Sequence, residues 1–339
     1  LVLFFEKESL PSFMKPCVVG ISGITLRADE AACLKSHSPA GIILFARNVQ
    51  DPVQLAALIQ SLRSVLPEGA VLMVDQEGGR VARLKPPHWR AHPAARSIGA
   101  LGGEASVRAA WLTGALIGLD CRAAGFDVVA APVLDVASPD GHDVIGDRAF
   151  ADDPERVALL GRAFAEGLLA AGVQPVGKHA PGHGRARADS HVELPVLDDI
   201  DSGDLLPFAR NADLPWLMTA HVRYTLRDME HPATQSRTVI ESVIRATGFD
   251  GVLVSDDLAM QALSGSAAER ALAALGAGCD IALHCSGNIE DTRGVLEVLE
   301  DAPAATLARL AAGRARAAGA RMALDGRALA AERDRLMAP

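Results

Sequence analysis

Aromatic side chains are scarce in this chain: nine Phe, three Trp and one Tyr serve 339 residues. Any recognition site must therefore work through hydrogen bonds and charge rather than through stacked rings. Basic excess is missing too, since 33 Lys and Arg face 42 Asp and Glu, a formal net charge of −9. That balance argues against a nucleic-acid partner, whose phosphates demand a cationic surface. Cysteine is sparse and odd in number, at Cys17, Cys33, Cys121, Cys279 and Cys285, with no C-x-x-C pair. Isolated buried thiols in a reducing, cytoplasmic compartment fit this pattern better than a disulfide framework or a zinc site. No apolar run is long enough to cross a bilayer, so no membrane partner is expected. The opening LVLFF is five residues long and meets Glu6, Lys7 and Glu8 at once, which is too short for a signal core. Residues 1–13 are read as an N-terminal extension, not necessarily native, upstream of a unit spanning 14–339. There is no repeat of fixed period and no Ser/Gly linker, so that unit is expected to be a single domain.

What the sequence does contain is a series of short, apolar, β-branched runs. They are CVVGIS from Cys17, GIILF from Gly41, VLMVD from Val71, DVVAAPVLDV from Asp127, VQPVGKH from Val173, WLMTAH from Trp216, GVLVSDD from Gly251 and CDIALHC from Cys279. They read as strands buried on both faces of a parallel sheet. Helix-length segments separate them and carry start signals. Asp51-Pro52 precedes Leu55, Leu58, Ile59, Leu62 and Leu66; Asp153-Pro154 precedes Val157, Leu160, Phe164 and Leu168, with Gly172 as a stop. Eight strands alternating with helices predict an α/β fold of the (β/α)8 TIM-barrel type, with irregularity expected in the first or second strand. An open doubly wound sheet is the competing architecture, but no G-x-G-x-x-G follows the first strand. The Ala- and Arg-rich stretch from Ala304 to Met337 predicts terminal helices that close the barrel.

In such a barrel, chemistry gathers at the carboxyl ends of the strands. Those ends carry Arg47 and Asn48, Asp75 and Glu77, Asp135, Lys178 and His179, His221, Asp256 and Asp257, and His284. The densest stretch, KHAPGHGRARADSH from Lys178 to His191, predicts a loop because of Pro181, Gly182 and Gly184. A metal held by His179 and His183 is one reading, disfavoured by the Pro-Gly between them, and no metal or cofactor is expected. A Schiff-base Lys178 is another, requiring a lowered lysine pKa. Asp189 and His191, two apart, point the same way on an extended backbone, so the carboxylate can orient the imidazole for proton transfer. Glu193 is the alternative proton carrier on that loop. Asp257, next to Asp256, should point away from it and serve structure.

Six motifs, DQEGGRVARL (Asp75 to Leu84), APVLDV with IGDRAF (Ala131 to Phe150), KHAPGHG with DSH, MTAHV (Met218 to Val222), PATQS (Pro232 to Ser236) and FDGVLVSDDLAM (Phe249 to Met260), closely resemble glycoside hydrolase family 3, in its single-domain bacterial β-N-acetylglucosaminidases. The resemblance implies a barrel enzyme that removes terminal non-reducing β-linked N-acetylglucosamine with retention. It implies Asp256 as nucleophile, His191 as general acid/base, Asp189 as its orienter, and Asp75, Arg83, Arg148, Lys178 and His179 as sugar-binding residues. The implied substrate is a small carbohydrate, a peptidoglycan fragment such as N-acetylglucosaminyl-1,6-anhydro-N-acetylmuramic acid, with a monomer favoured. A β-glucosidase, a phosphorylase or a non-catalytic sugar-binding barrel are the alternatives. Ala180 departs from the family's pattern, which is bulkier there.

Overall fold

The computed structural model describes residues 13–338; apart from Phe13, the extension assigned to residues 1–13 lies outside them. Eight parallel strands close into a barrel in chain order: β1 (Lys15–Gly20), β2 (Pro39–Leu44), β3 (Val71–Val74), β4 (Val128–Val129), β5 (Gln174–Ala180), β6 (Trp216–Thr219), β7 (Val252–Asp257) and β8 (Ile281–His284). Closure is made by β8 on β1, with Cys17 opposite Ala282 and Val19 opposite His284. All eight runs expected from sequence are present.

Irregularity falls in several places, among them register shifts between Ile281 and Leu283 of β8 and between Lys178 and Ala180 of β5. The pairing of β1 with β2 shifts register between Lys15 and Val18, in line with the expected irregular first strand. The largest departure is β4, where a ten-residue run forms only two residues of strand and a lone bridge from Val133 to Lys178. Pro132 interrupts this run, because a proline has no N–H to give the ladder.

The strands divide most of their side chains between two apolar clusters by alternation, broken at Ala40 in β2 and at the register shift before Ala180 in β5. Val18, Ile43, Met73, Val128, Val176, Met218, Val254 and Leu283 fill the barrel interior. Val19, Ile42, Leu44, Leu72, Val74, Val129, Leu217, Leu253 and Ala282 pack outward. The outer group meets a ring of helices: α1 (Ala28–His37), α2 (Pro52–Val65), α3 (Gly103–Ala124), α4 (Pro154–Ala170), α5 (Ser202–Arg210), α6, α7 (Ala267–Ala277) and α8 (Ile289–Val298). Here α6 runs from an α turn (Arg237–Val239) through a π turn (Ile240–Ile244) to a 3-10 turn (Arg245–Thr247). The expected caps form: Asp51 accepts from the backbone of Val53 and Gln54, and Asp153 from that of Arg156.

Two terminal helices follow. Leu310 of α9 (Ala304–Ala320) joins Met14 in the interior cluster, plugging the amino end of the barrel. From α10 (Gly326–Met337), Arg333 donates to Nδ1 of buried His92 at 3.1 Å, and the His92 carbonyl accepts from Gly79 N–H at 2.9 Å. The far end of the chain thus backs the loop that follows β3. All five cysteines are free and buried. Among the described residues, no helix is long and apolar enough to cross a membrane.

Candidate active site

Alternation along the strands decides which polar residues reach the barrel mouth. Counting two residues on from the inward-facing Ile43, Met73, Val176, Val254 and Leu283 leads to Phe45, Asp75, Lys178, Asp256 and Cys285. All five line one cleft of about 210 Å³ at the carboxyl ends of the strands, floored by Ile43, Met218 and Leu283. Arg83, Arg148, His179 and His191 also line it. Of the eight site residues that the family resemblance implies, Asp189 alone is not part of the wall, and it contacts His191, which is.

On one side of the cleft a charge network is almost dry. Lys178 Nζ lies 2.9 Å from Asp75 and 2.6 Å from Glu77, while Arg148 grips Glu77 with two bonds of 2.8 and 2.9 Å. Arg83 reaches Asp75 at 3.3 Å and stands over the Phe45 ring. Burial by itself would raise Glu77, but Arg148 and Lys178 hold it well below the ordinary carboxylate range. The same network overcomes burial to raise Lys178. A Schiff-base lysine needs the opposite shift, so that reading of Lys178 is corrected by its two carboxylate partners.

Glu77→Gln is expected to lower stability by about 3 kcal/mol, because it strips buried Arg148 of its carboxylate partner and Lys178 of one of its two. The sign with pH is set by the depressed carboxyl. Its stabilisation is present above the ordinary carboxylate pKa and disappears as pH falls below it, so wild-type and variant Tm values should converge only in strong acid. Thermal melts at neutral and strongly acidic pH measure this.

Asp135 organises the neighbouring stretch of wall. Fully buried, it accepts from the backbone N–H of His179 at 3.2 Å and of His183 at 2.7 Å, and its other oxygen lies 2.7 Å from His179 Nδ1. His179 Nε2 is thereby left facing Arg148 at 3.5 Å. His183, stacked edge-on against His179 with ring centroids 5.9 Å apart, is pushed down to about 4 by burial. Each imidazole spends one nitrogen on a protein partner, Asp135 or Ser190.

Asp256, the penultimate residue of β7, lines the cleft and accepts from Asp257 N–H at 2.8 Å. Burial would raise its carboxyl, but His179, His221 and that backbone bond hold it down to about 2. It is therefore ionised at any neutral pH. Asp257 spends one oxygen on the backbone N–H groups of Ala259 and Cys285, tying β7 to β8 as expected, although it too touches the cleft.

Above the floor, His191 Nδ1 lies 2.7 Å from Asp189 Oδ1, which also accepts from His191 N–H at 2.9 Å. The dyad forms, but not on extended backbone. Val192 and Glu193 N–H both return to the Asp189 carbonyl, so the segment is a turn, and the Asp side chain caps it. Its imidazole is 62% exposed and still lines the cleft. Glu193 is exposed and takes no part in the wall. Lys178, His179 and Ala180 lie within β5, so the expected loop begins only at Pro181. Ala180 itself is fully buried, its carbonyl accepting from Ala220.

Sequence reasoning noted Glu77 and Asp135 at strand ends without giving either a role. The signal that could have found Glu77 is parity, two residues beyond Asp75. Nothing local marks Asp135 as the partner of residues 44 and 48 positions away. Gly78 and Gly79 do permit close approach, with φ of +100° and +55°, and what approaches is the chain at Pro93 and Ala94.

Residues 14–316 match the model of the glycosyl hydrolase family 3 N-terminal domain. A beta-hexosaminidase of Methylococcus capsulatus is 43% identical over 307 residues, 87% of this chain and 90% of its own. One of Pseudomonas aeruginosa is 41% identical over 305 residues, 86% and 90% of the two chains. Among solved structures, NagZ from Neisseria gonorrhoeae in complex with N-trifluoroacetyl-D-glucosamine is similar at TM-score 0.75 and 32% identity, over 91% of this chain and 98% of that one. A beta-N-acetylhexosaminidase of Beutenbergia cavernae is similar at TM-score 0.74 and 29% identity, over 94% and 96%.

Proposed function

This chain belongs to glycosyl hydrolase family 3, and from that membership we propose that it is a retaining exo-β-N-acetylglucosaminidase acting on peptidoglycan fragments, with residues 14–339 as its catalytic unit. Activity of the β-N-acetylhexosaminidase type is the common property of the named relatives. The observation that carries the finer reading is the meeting, in one small cleft, of an ionised Asp256 with the His191–Asp189 dyad.

Asp256 attacks the anomeric carbon as His191 gives its proton to the departing glycosidic oxygen, and a covalent glycosyl-enzyme forms. His191 then takes a proton from water, whose oxygen attacks the same carbon and releases Asp256. Two displacements at one carbon return the starting configuration. Asp189 holds the imidazole by Nδ1, so Nε2 is the nitrogen that carries the proton. Asp75, with Arg83, Lys178, Arg148 and His179 around it, offers acceptors and donors to the sugar's hydroxyls and acetamido group. A small cleft with such walls suits a terminal sugar better than the interior of a polymer. The buried free thiols support a reducing, cytoplasmic setting.

The test is a comparison of aryl β-glycosides. N-acetylglucosamine is expected to be released far faster than glucose, at a rate phosphate does not change, with the β-anomer appearing first by NMR. Faster glucose release, a phosphate-dependent sugar phosphate or first appearance of the α-anomer would each refute part of the reading. Liberation of N-acetylglucosamine from a 1,6-anhydro-muramic disaccharide tests the natural substrate.

A further inference from the structure

We propose that Ser190 is a positioning residue: its hydroxyl, bound to the buried imidazole of His183, sets the place of His191 at the mouth of the cleft. The inference rests on the reading of His191 as general acid/base given above.

Ser190 stands between the two members of the dyad and itself lines the cleft beside His183. It is 3% exposed, whereas His191 is largely in solvent. Ser190 Oγ lies 3.1 Å from His183 Nε2. His183 is itself held from behind, because its backbone N–H donates to Asp135 at 2.7 Å, and the same carboxylate fixes His179 in the cleft wall. One buried carboxylate therefore references both the sugar-side imidazole and the anchor of the proton-carrying turn. The distance between the turn and the sugar site is set through Asp135, His183 and Ser190.

Little else holds that turn. From Ala188 to Glu193, two hydrogen bonds reach other parts of the described chain: Ser190 to His183, and Gln261 N–H to the His191 carbonyl at a long 3.3 Å. His183 Nδ1 is buried without a partner, so the ring is committed through Nε2 alone. Burial keeps that ring neutral at neutral pH, which makes its bond to Ser190 an uncharged one. A bond of that kind shifts the balance between a docked and an undocked turn by roughly two- to tenfold. It is strong enough to favour docking and weak enough to break during turnover.

Ser190→Ala removes one oxygen and needs no extra room. Two readouts are taken together with Tm: tryptic cleavage after Arg187, whose side chain is 76% exposed on the same segment, and kcat/KM for aryl N-acetylglucosaminides of graded leaving-group basicity. Cleavage is expected to quicken roughly two- to tenfold, in proportion to the undocked fraction. Over the same range kcat/KM should fall for phenyl-type leaving groups while dinitrophenyl ones stay near wild type, with Tm little changed. Ser190→Thr, which returns the hydroxyl, should bring both readouts back. Unchanged cleavage, or a loss equal for all leaving groups, overturns the proposal. A wild-type protein that hydrolyses none of these glycosides would overturn the functional reading instead.

Discussion

Asp256→Ala is expected to lower kcat by about 10⁴-fold or more, the scale on which loss of a covalent nucleophile is felt. The reason is chemical, since no other carboxylate stands free to take its place. Asp75 and Glu77 are engaged by Lys178, Arg83 and Arg148, and Asp257 is spent on backbone N–H groups. The fold should survive, because Asp256 accepts only from its neighbour's N–H and no buried cation is orphaned by its removal. A carboxyl held down to about 2 contributes stability above its ordinary pKa, lost as pH falls toward 2. The variant's Tm deficit should therefore be modest at pH 7 and vanish in strong acid. A drop in wild-type activity between pH 7 and pH 4 would belong to another group than Asp256. Steady-state rates, melts, and peptide mass mapping of a glycosyl-enzyme trapped with a fluorinated N-acetylglucosamine analogue check the assignment. Near-wild-type turnover, or a label on another residue, would sink it.

The second large effect is selective. His191→Ala is expected to reduce kcat/KM by about 10²- to 10⁴-fold for basic leaving groups, the range that general acid catalysis contributes, and far less for dinitrophenyl glycosides, which depart without a proton. Because His191 also serves as base for water, kcat on activated substrates should fall through slow deglycosylation, with glycosyl-enzyme accumulating in a burst. Its imidazole lies exposed on a capped turn, so the substitution leaves no buried partner unsatisfied and Tm should hold. Equal losses in kcat/KM across leaving groups would assign His191 some other duty. Glu193, exposed and away from the wall, is expected to tolerate Gln with little effect.

The two residues for which these roles are proposed stand out in the sequence because their signals are local. Asp256 follows an apolar strand, and Asp189 with His191 sits two residues apart after a Pro- and Gly-rich stretch. The strands were legible for a similar reason, since burial on both faces writes a continuous apolar run into each. The short β4 was not, because the run from Asp127 looks apolar throughout while a single proline withholds one N–H. Nor was the turn at Asp189, where side-chain capping replaced the extended backbone that spacing alone suggests.

By itself, then, the sequence determined the number and order of strands, the barrel class, and which residue types stand at the strand ends. Those are properties of periodicity and of short-range chemistry. Only the tertiary structure decided which ends share a cleft and what each group pairs with. Alternation carried Asp75, Lys178 and Asp256 inward together, Glu77 became the shared partner of Lys178 and Arg148, and Asp135 tied His179 to His183. Such pairings join residues that are dozens of positions apart, and their strength depends on burial and distance, quantities that exist only once the barrel has closed.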